Sequence, residues 1–103
     1  MDRAPASPLR VQVSWDGVIA AVTIRGEMDI TTAAGLKRCL LAVGAEYPDR
    51  VVLDLGGLVF VDVAGARALD EAYHLLEAGC PVILRSARPY ARTVFRLADL
   101  LKE

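Results

Sequence analysis

Residues 51–69 read VVLDLGGLVFVDVAGARAL, and a change of period inside this stretch decides the fold. Val51, Val52, Leu53 and Leu55 form a nearly continuous aliphatic run, the pattern of a strand covered on both faces in a parallel sheet. Gly56-Gly57 reads as a turn, after which Leu58, Val59, Phe60 and Val61 resume the apolar run. Asp62 then precedes Ala68, Leu69, Ala72, Leu75 and Leu76, whose spacing of three and four residues is helical and points them inward. An aspartate at such a junction caps the helix, because its carboxylate accepts hydrogen bonds from N–H groups that the first turn leaves unpaired. Gly79 closes the helix. A buried strand that runs into a capped helix is half of a β-α-β unit.

The flanking segments repeat this logic. Leu9, Val11 and Val13 alternate with Arg10, Gln12 and Ser14, the period of a strand with one wet face. Asp16-Gly17 between two apolar runs is a hairpin signal in which both central residues take positive φ, so residues 18–25 form an antiparallel second strand that Gly26 ends. Asp29 or Thr31 caps a helix with Ala33, Leu36, Leu40 and Val43 inward and Lys37 and Arg38 off that face; Gly44 and Pro48 stop it. Beyond Gly79, Val82-Ile83-Leu84 is a short buried strand. Pro89 opens a last helix with Tyr90, Val94, Leu97 and Leu101 on one face and Arg88, Arg92 and Arg96 on the wet side. The order is ββαβαβα: an α/β protein whose mostly parallel sheet has an antiparallel edge strand and helices packed on it. A chain of 103 residues builds one core and not two, so residues 1–8 are expected as a tail and 9–103 as one domain.

Composition narrows the function classes. The chain is 54% hydrophobic and 24% charged with a formal net charge of −1, an ordinary globular balance without the basic patch that a nucleic-acid backbone requires. No apolar run approaches the roughly 20 residues of a membrane-spanning helix. Residues 1–8 contain Asp2, Arg3, Pro5 and Pro8 and no apolar stretch, which does not suit a secretory signal, so a cytoplasmic location is expected. Cys39 and Cys80 lie far apart without metal-ligand spacing and read as buried, reduced thiols.

Each common catalytic constellation is missing from the sequence. His74 is the single histidine and sits beside Asp70 and Glu71 on a solvent-facing helix surface. There is no nucleophile elbow and no phosphate-binding loop ending in Lys-Ser or Lys-Thr. Glu27 and Asp29 with Asp54 or Asp62 make at most a carboxylate cluster lacking a metal-ligand pattern, so neither metal nor cofactor is expected. The remaining candidate is residues 61–65, a rigidly held surface loop at the end of a buried strand, where α/β proteins present binding groups and where a helix start attracts negative charge.

Three segments, taken in order, resemble a known family. Gly26-Glu27-Met28-Asp29, then Val51-Val52-Leu53-Asp54-Leu55, then residues 60–69 from Phe60 through Asp62, Val63, Ala64, Gly65 and Arg67 to Leu69 look like the successive signatures of the STAS domain, named for sulfate transporters and anti-sigma-factor antagonists. The resemblance implies a protein-binding switch: stand-alone members dock on an anti-sigma factor that is also a serine kinase and so release the sigma factor. It further implies a docking surface formed by Asp62, Val63, Ala64, Gly65 and Arg67 beside the Gly-Glu-x-Asp segment, with Asp29 and Asp62 as polar contacts. In the family the residue before the glycine is usually a Ser or Thr whose phosphorylation blocks rebinding; here it is Ala64, preceded by Val63, and a methyl group accepts no phosphoryl group.

Two expectations follow from that departure. Either the chain still binds an anti-sigma factor and is not switched at this position, or it serves another partner, as a regulatory subunit of a membrane transport complex or a signalling scaffold. Thr31 and Thr32 are alternative acceptors whose capping role already accounts for them. Two readings from other classes remain: a small enzyme or nucleotide binder using the crevice at the strand ends, and a homodimer formed through the exposed first strand. The expected state is a monomer or weak homodimer.

Overall fold

A computed structural model describes residues 8–86. Within them the order is β1 (Arg10–Asp16), β2 (Ile19–Met28), α1 (Ile30–Gly44), β3 (Arg50–Val61), α2 (Val63–Glu77) and β4 (Val82–Arg85). The expected last helix, with Pro89, Tyr90 and its arginine stripe, and most of the expected tail lie outside the described residues. The four strands form one sheet in the order β1-β2-β3-β4, with β1 antiparallel to β2 and the other two pairs parallel.

One core holds these elements together. Ala20, Val22 and Ile24 of β2 and Val51, Leu53 and Leu55 of β3 point to the same face, since alternate residues of a strand do so, and they meet Leu36, Leu40 and Val43 of α1 and Ala66, Leu69, Ala72 and Leu76 of α2. Burying each of the larger aliphatic side chains contributes about 1.5–3 kcal/mol. Small residues on the inner side of α2, Gly65, Ala66, Ala68 and Ala72, let that helix lie close to the sheet. Lys37 of α1 reaches Glu71 of α2 at 3.1 Å across the helix pair, a surface bridge worth about 0–1 kcal/mol.

Several expectations are corrected. The hairpin turn is centred on Gly17-Val18, one residue later than expected, because Asp16 pairs with Ile19. Of the two central residues only Gly17 has positive φ, at 61°, as a two-residue turn with glycine at its first central position requires. Gly26 does not end β2, which continues to Met28, and Gly56-Gly57 is not a turn, since β3 passes straight through it. The register between β2 and β3 slips twice, between Thr23 and Arg25 and between Gly26 and Glu27, and each time β3 contributes one extra residue. Every extra residue flips the facing of those that follow. The buried positions of β3 therefore run Val51, Leu53, Leu55, then Leu58, then Val61.

Among the described residues β3 is also not covered equally on both faces: the helices stand on one side, and Val52 and Asp54 on the other are half-buried. β4, expected to be buried, is a sheet edge with Ile83 and Leu84 exposed. Leu75 faces solvent because the inner stripe of α2 runs through Ala68, Leu69, Ala72 and Leu76. Cys39 and Cys80 are free and half-buried, not buried, and Cys80 packs at the margin of the core. His74 is exposed, as expected, with Nε2 3.2 Å from Asp70 and Nδ1 3.9 Å from Glu77.

Candidate functional site

The two parallel central strands end side by side, and each passes directly into a helix. Met28 pairs with Val61. The next residue in each chain segment, Asp29 and Asp62, is the N-cap of α1 and α2 respectively. Asp62 N–H donates to the Met28 carbonyl at 3.1 Å, which stitches the second junction to the first. The sheet thus brings Asp29 next to Asp62, Val63, Ala64 and Gly65, while Arg67 is exposed further along α2.

Gly65 sets how closely the junctions approach. A Cβ built on it would fall 2.7 Å from the Met28 carbonyl oxygen and 2.9 Å from its carbon, inside any real contact. The first turn of α2 can rest on the end of β2 only because this residue has no side chain. Asp62 Oδ1 accepts from Gly65 N–H at 2.7 Å, so the cap and the close approach share one residue.

The α1 junction is richer in hydrogen bonds. Asp29 Oδ1 accepts from Thr31 N–H at 2.9 Å, from Thr32 N–H at 3.3 Å and from the Thr31 hydroxyl at 2.6 Å. Thr32 Oγ1 accepts in return from Asp29 N–H at 3.0 Å, completing a reciprocal capping box. The Thr31 hydroxyl is the chief reason that the Asp29 carboxyl lies below its ordinary range; the bonds from Thr31 and Thr32 N–H act in the same direction and desolvation opposes them. Both aspartates thus hold their own helix starts.

Ala64 is half-buried in the first turn of α2, and Val63 packs against the margin of the core. The same end of the sheet also carries large exposed apolar side chains that the sequence reading did not single out. Ile30, the first residue of α1, is 74% exposed, and Val59 and Phe60 at the end of β3 are 52% and 41% exposed. Their signal was available: in a strand-like run of four apolar residues at 58–61, some must face outward. The carboxylates do not gather into one centre. Asp54 Oδ1 accepts from Gly56 N–H at 3.0 Å at the first register slip. No group of three or more metal-ligating side chains occurs among the described residues. Two rigid caps bordered by apolar side chains suit the docking of a protein surface.

Comparison with known proteins agrees with this architecture. A family model described as STAS domain matches residues 11–103. The chain is 35% identical over 66 residues to the anti-sigma-F factor antagonist RsfB of Mycobacterium tuberculosis, a match covering 64% of this chain and 53% of that protein, so the chain spans about half the length of the curated relative. The structure is similar to that of an anti-sigma factor antagonist from Mycobacterium paratuberculosis, with a TM-score of 0.75 and 26% identity over 97% of this chain and 86% of that one. The phosphorylated form of the Bacillus cell fate determinant SpoIIAA shares the fold, with a TM-score of 0.68 and 19% identity over 90% of this chain and 86% of that one.

Proposed function

This chain belongs to the STAS domain family, and we propose that it is an anti-sigma-factor antagonist, a binding protein and not a catalyst, which docks on an anti-sigma factor of the serine-kinase type and frees the sigma factor that the kinase held. The observation that carries the reading is the paired junction at Asp29 and Asp62, where two capped helix starts lie side by side at the end of the sheet that also exposes Ile30, Val59 and Phe60. The names of the relatives, anti-sigma factor antagonists in both sequence and structure comparisons, support the same assignment. Asp29, Asp62, Val63, Ala64 and Arg67 form the contact surface in this reading; Gly65, expected among them, is buried against Met28 and sets the approach of the two junctions instead. Apolar side chains in the centre of the patch contribute affinity on leaving water, and the charged Arg67 at its border contributes orientation.

The same surface is not switched at Ala64. Phosphoryl transfer to a side chain needs a nucleophilic oxygen, and the methyl group of Ala64 offers none. A phosphoserine here would add roughly −1.5 to −2 charges to a contact that otherwise excludes water. Without it the complex is governed by the abundance of the two partners. The Thr31 and Thr32 hydroxyls nearby are engaged with Asp29, and this capping role accounts for them without a second use as acceptors. With a partner in the transcription apparatus, the protein acts in the cytoplasm in this reading. Among the described residues no helix is long and apolar enough to cross a membrane.

The test is affinity capture from the source cell with the native chain and Ala64→Glu as parallel baits. Recovery of an anti-sigma kinase by the native chain and its loss with Ala64→Glu is the expected result. Recovery of transporter subunits, or of the same partners by both baits, would overturn the assignment.

A further inference from the structure

The edge of the sheet at β1 is self-complementary, and we propose that two copies of this chain pair antiparallel through β1 to form a continuous eight-stranded sheet. β1 pairs with β2 over seven residues without a register slip and contains no proline or lysine. Proteins usually blunt an exposed edge with those residues, with a bulge or by shortening it. The opposite edge is shortened, since β4 has four residues. Among the described residues β1 has no neighbour on its outer side.

The register of the pairing follows from the hairpin. In the tight turn at Gly17-Val18 the Asp16 carbonyl accepts from Ile19 N–H, and backbone groups alternate in direction along an antiparallel strand. Arg10, Gln12, Ser14 and Asp16 therefore direct their N–H and C=O groups to β2, and Val11, Val13 and Trp15 direct theirs outward. A two-fold axis through Val13 brings the outward groups of both copies together and overlaps all seven residues of each strand. It sets Val13 opposite Val13, Val11 opposite Trp15, Gln12 opposite Ser14, and Arg10 of each copy opposite Asp16 of the other. Both ends of the seam thus carry opposite charges, a favourable cross-strand pairing.

The side chains agree with this register. Val11 and Val13 are half-buried at the margin of the core, and Trp15, in phase with them along β1, is 45% exposed. Trp15 covers Val11 of the second copy in the dimer, extending the apolar layer across the seam. The two copies of β2 then run in opposite directions, so the Asp29 and Asp62 junctions lie at opposite ends of the assembly and both stay open. The dimer and the docking reading are independent.

Sedimentation equilibrium of the 103-residue chain over a range of concentrations tests the proposal, with circular dichroism to verify folding. The native chain is expected to approach twice its 11.1 kDa mass as concentration rises. Arg10→Asp and Asp16→Arg each place like charges at both ends of the seam and are expected to weaken the dimer by roughly tenfold. The double variant Arg10→Asp/Asp16→Arg restores the pairs and the dimer. Val13→Pro removes an N–H that β2 does not use, so it leaves a folded monomer. A native chain that stays monomeric at every concentration, or a dimer indifferent to all these variants, would overturn the proposal.

Discussion

The α1 and α2 N-termini lie side by side at the end of the sheet, each capped by an aspartate, but their chemistry diverges in the next three residues. After Asp29 come Ile30, Thr31 and Thr32, and both hydroxyls bond back to the cap. After Asp62 come Val63, Ala64 and Gly65, with no hydroxyl and a single bond from Gly65 N–H to the carboxylate. The first junction is held by a hydrogen-bonded box and the second by steric fit against Met28. The junction that has hydroxyls uses them in its cap, and the junction at Ala64 has none.

The strongest way to break this contrast is Gly65→Ala. The added Cβ must displace the Met28 backbone or the start of α2, and overpacking of this kind costs about 1–3 kcal/mol. Denaturant unfolding should show the midpoint falling by a corresponding amount, whereas Ala64→Gly, one residue earlier, should cost at most about 1 kcal/mol.

Removing the caps sharpens the comparison. Loss of an N-cap carboxylate costs typically about 1 kcal/mol. Asp29→Ala leaves two backbone N–H groups and the Thr31 hydroxyl without their acceptor, while Asp62→Ala affects one N–H group, so the first should lower the unfolding midpoint more than the second. Equal losses would show that the box at α1 adds nothing to a simple cap.

Acid should reveal the same difference. The Asp29 carboxyl lies lower when folded than its ordinary 3.8, so protons bind the unfolded chain more tightly. Its contribution is fully present above the ordinary value and disappears as pH falls through the lowered one. Against Asp29→Asn, which caps without titrating, the native chain should hold a constant difference in stability above pH about 4 that changes only below it. A difference that varied through neutral pH would assign the effect to another group.

The smallest expected change in stability is that of Ala64→Ser, within about 0.5 kcal/mol at this half-buried site. Its functional consequence is large. Incubated with the captured kinase and labelled ATP, Ala64→Ser should take up phosphate and the native chain should not. Label on Thr31 or Thr32 of the native chain would contradict the reading that these hydroxyls serve the cap alone.

The same contrast explains what could be read in the sequence. The cap at Asp62 was visible because it precedes a run of helical period, the first cap was narrowed to Asp29 or Thr31 and is Asp29, and the strand and helix order over residues 10–85 followed from the same periodicity. The path of β3 was hidden. Gly56-Gly57 carries the signature of a turn, yet the pairing with β2 absorbs the extra residues as register slips, a tertiary effect with no local marker. The candidate site was legible in its polar residues and not in its apolar ones. Ile30 and Phe60 look like core residues until the geometry shows which face they occupy.

The central claim is that the surface around Ala64 is the one that binds an anti-sigma factor. Titration calorimetry of the captured kinase with the native chain and with Ala64→Glu tests it most directly. Tight binding by the native chain and affinity at least tenfold weaker for Ala64→Glu, with both proteins equally folded, is the expected result. Equal affinities would place the contact elsewhere on the molecule.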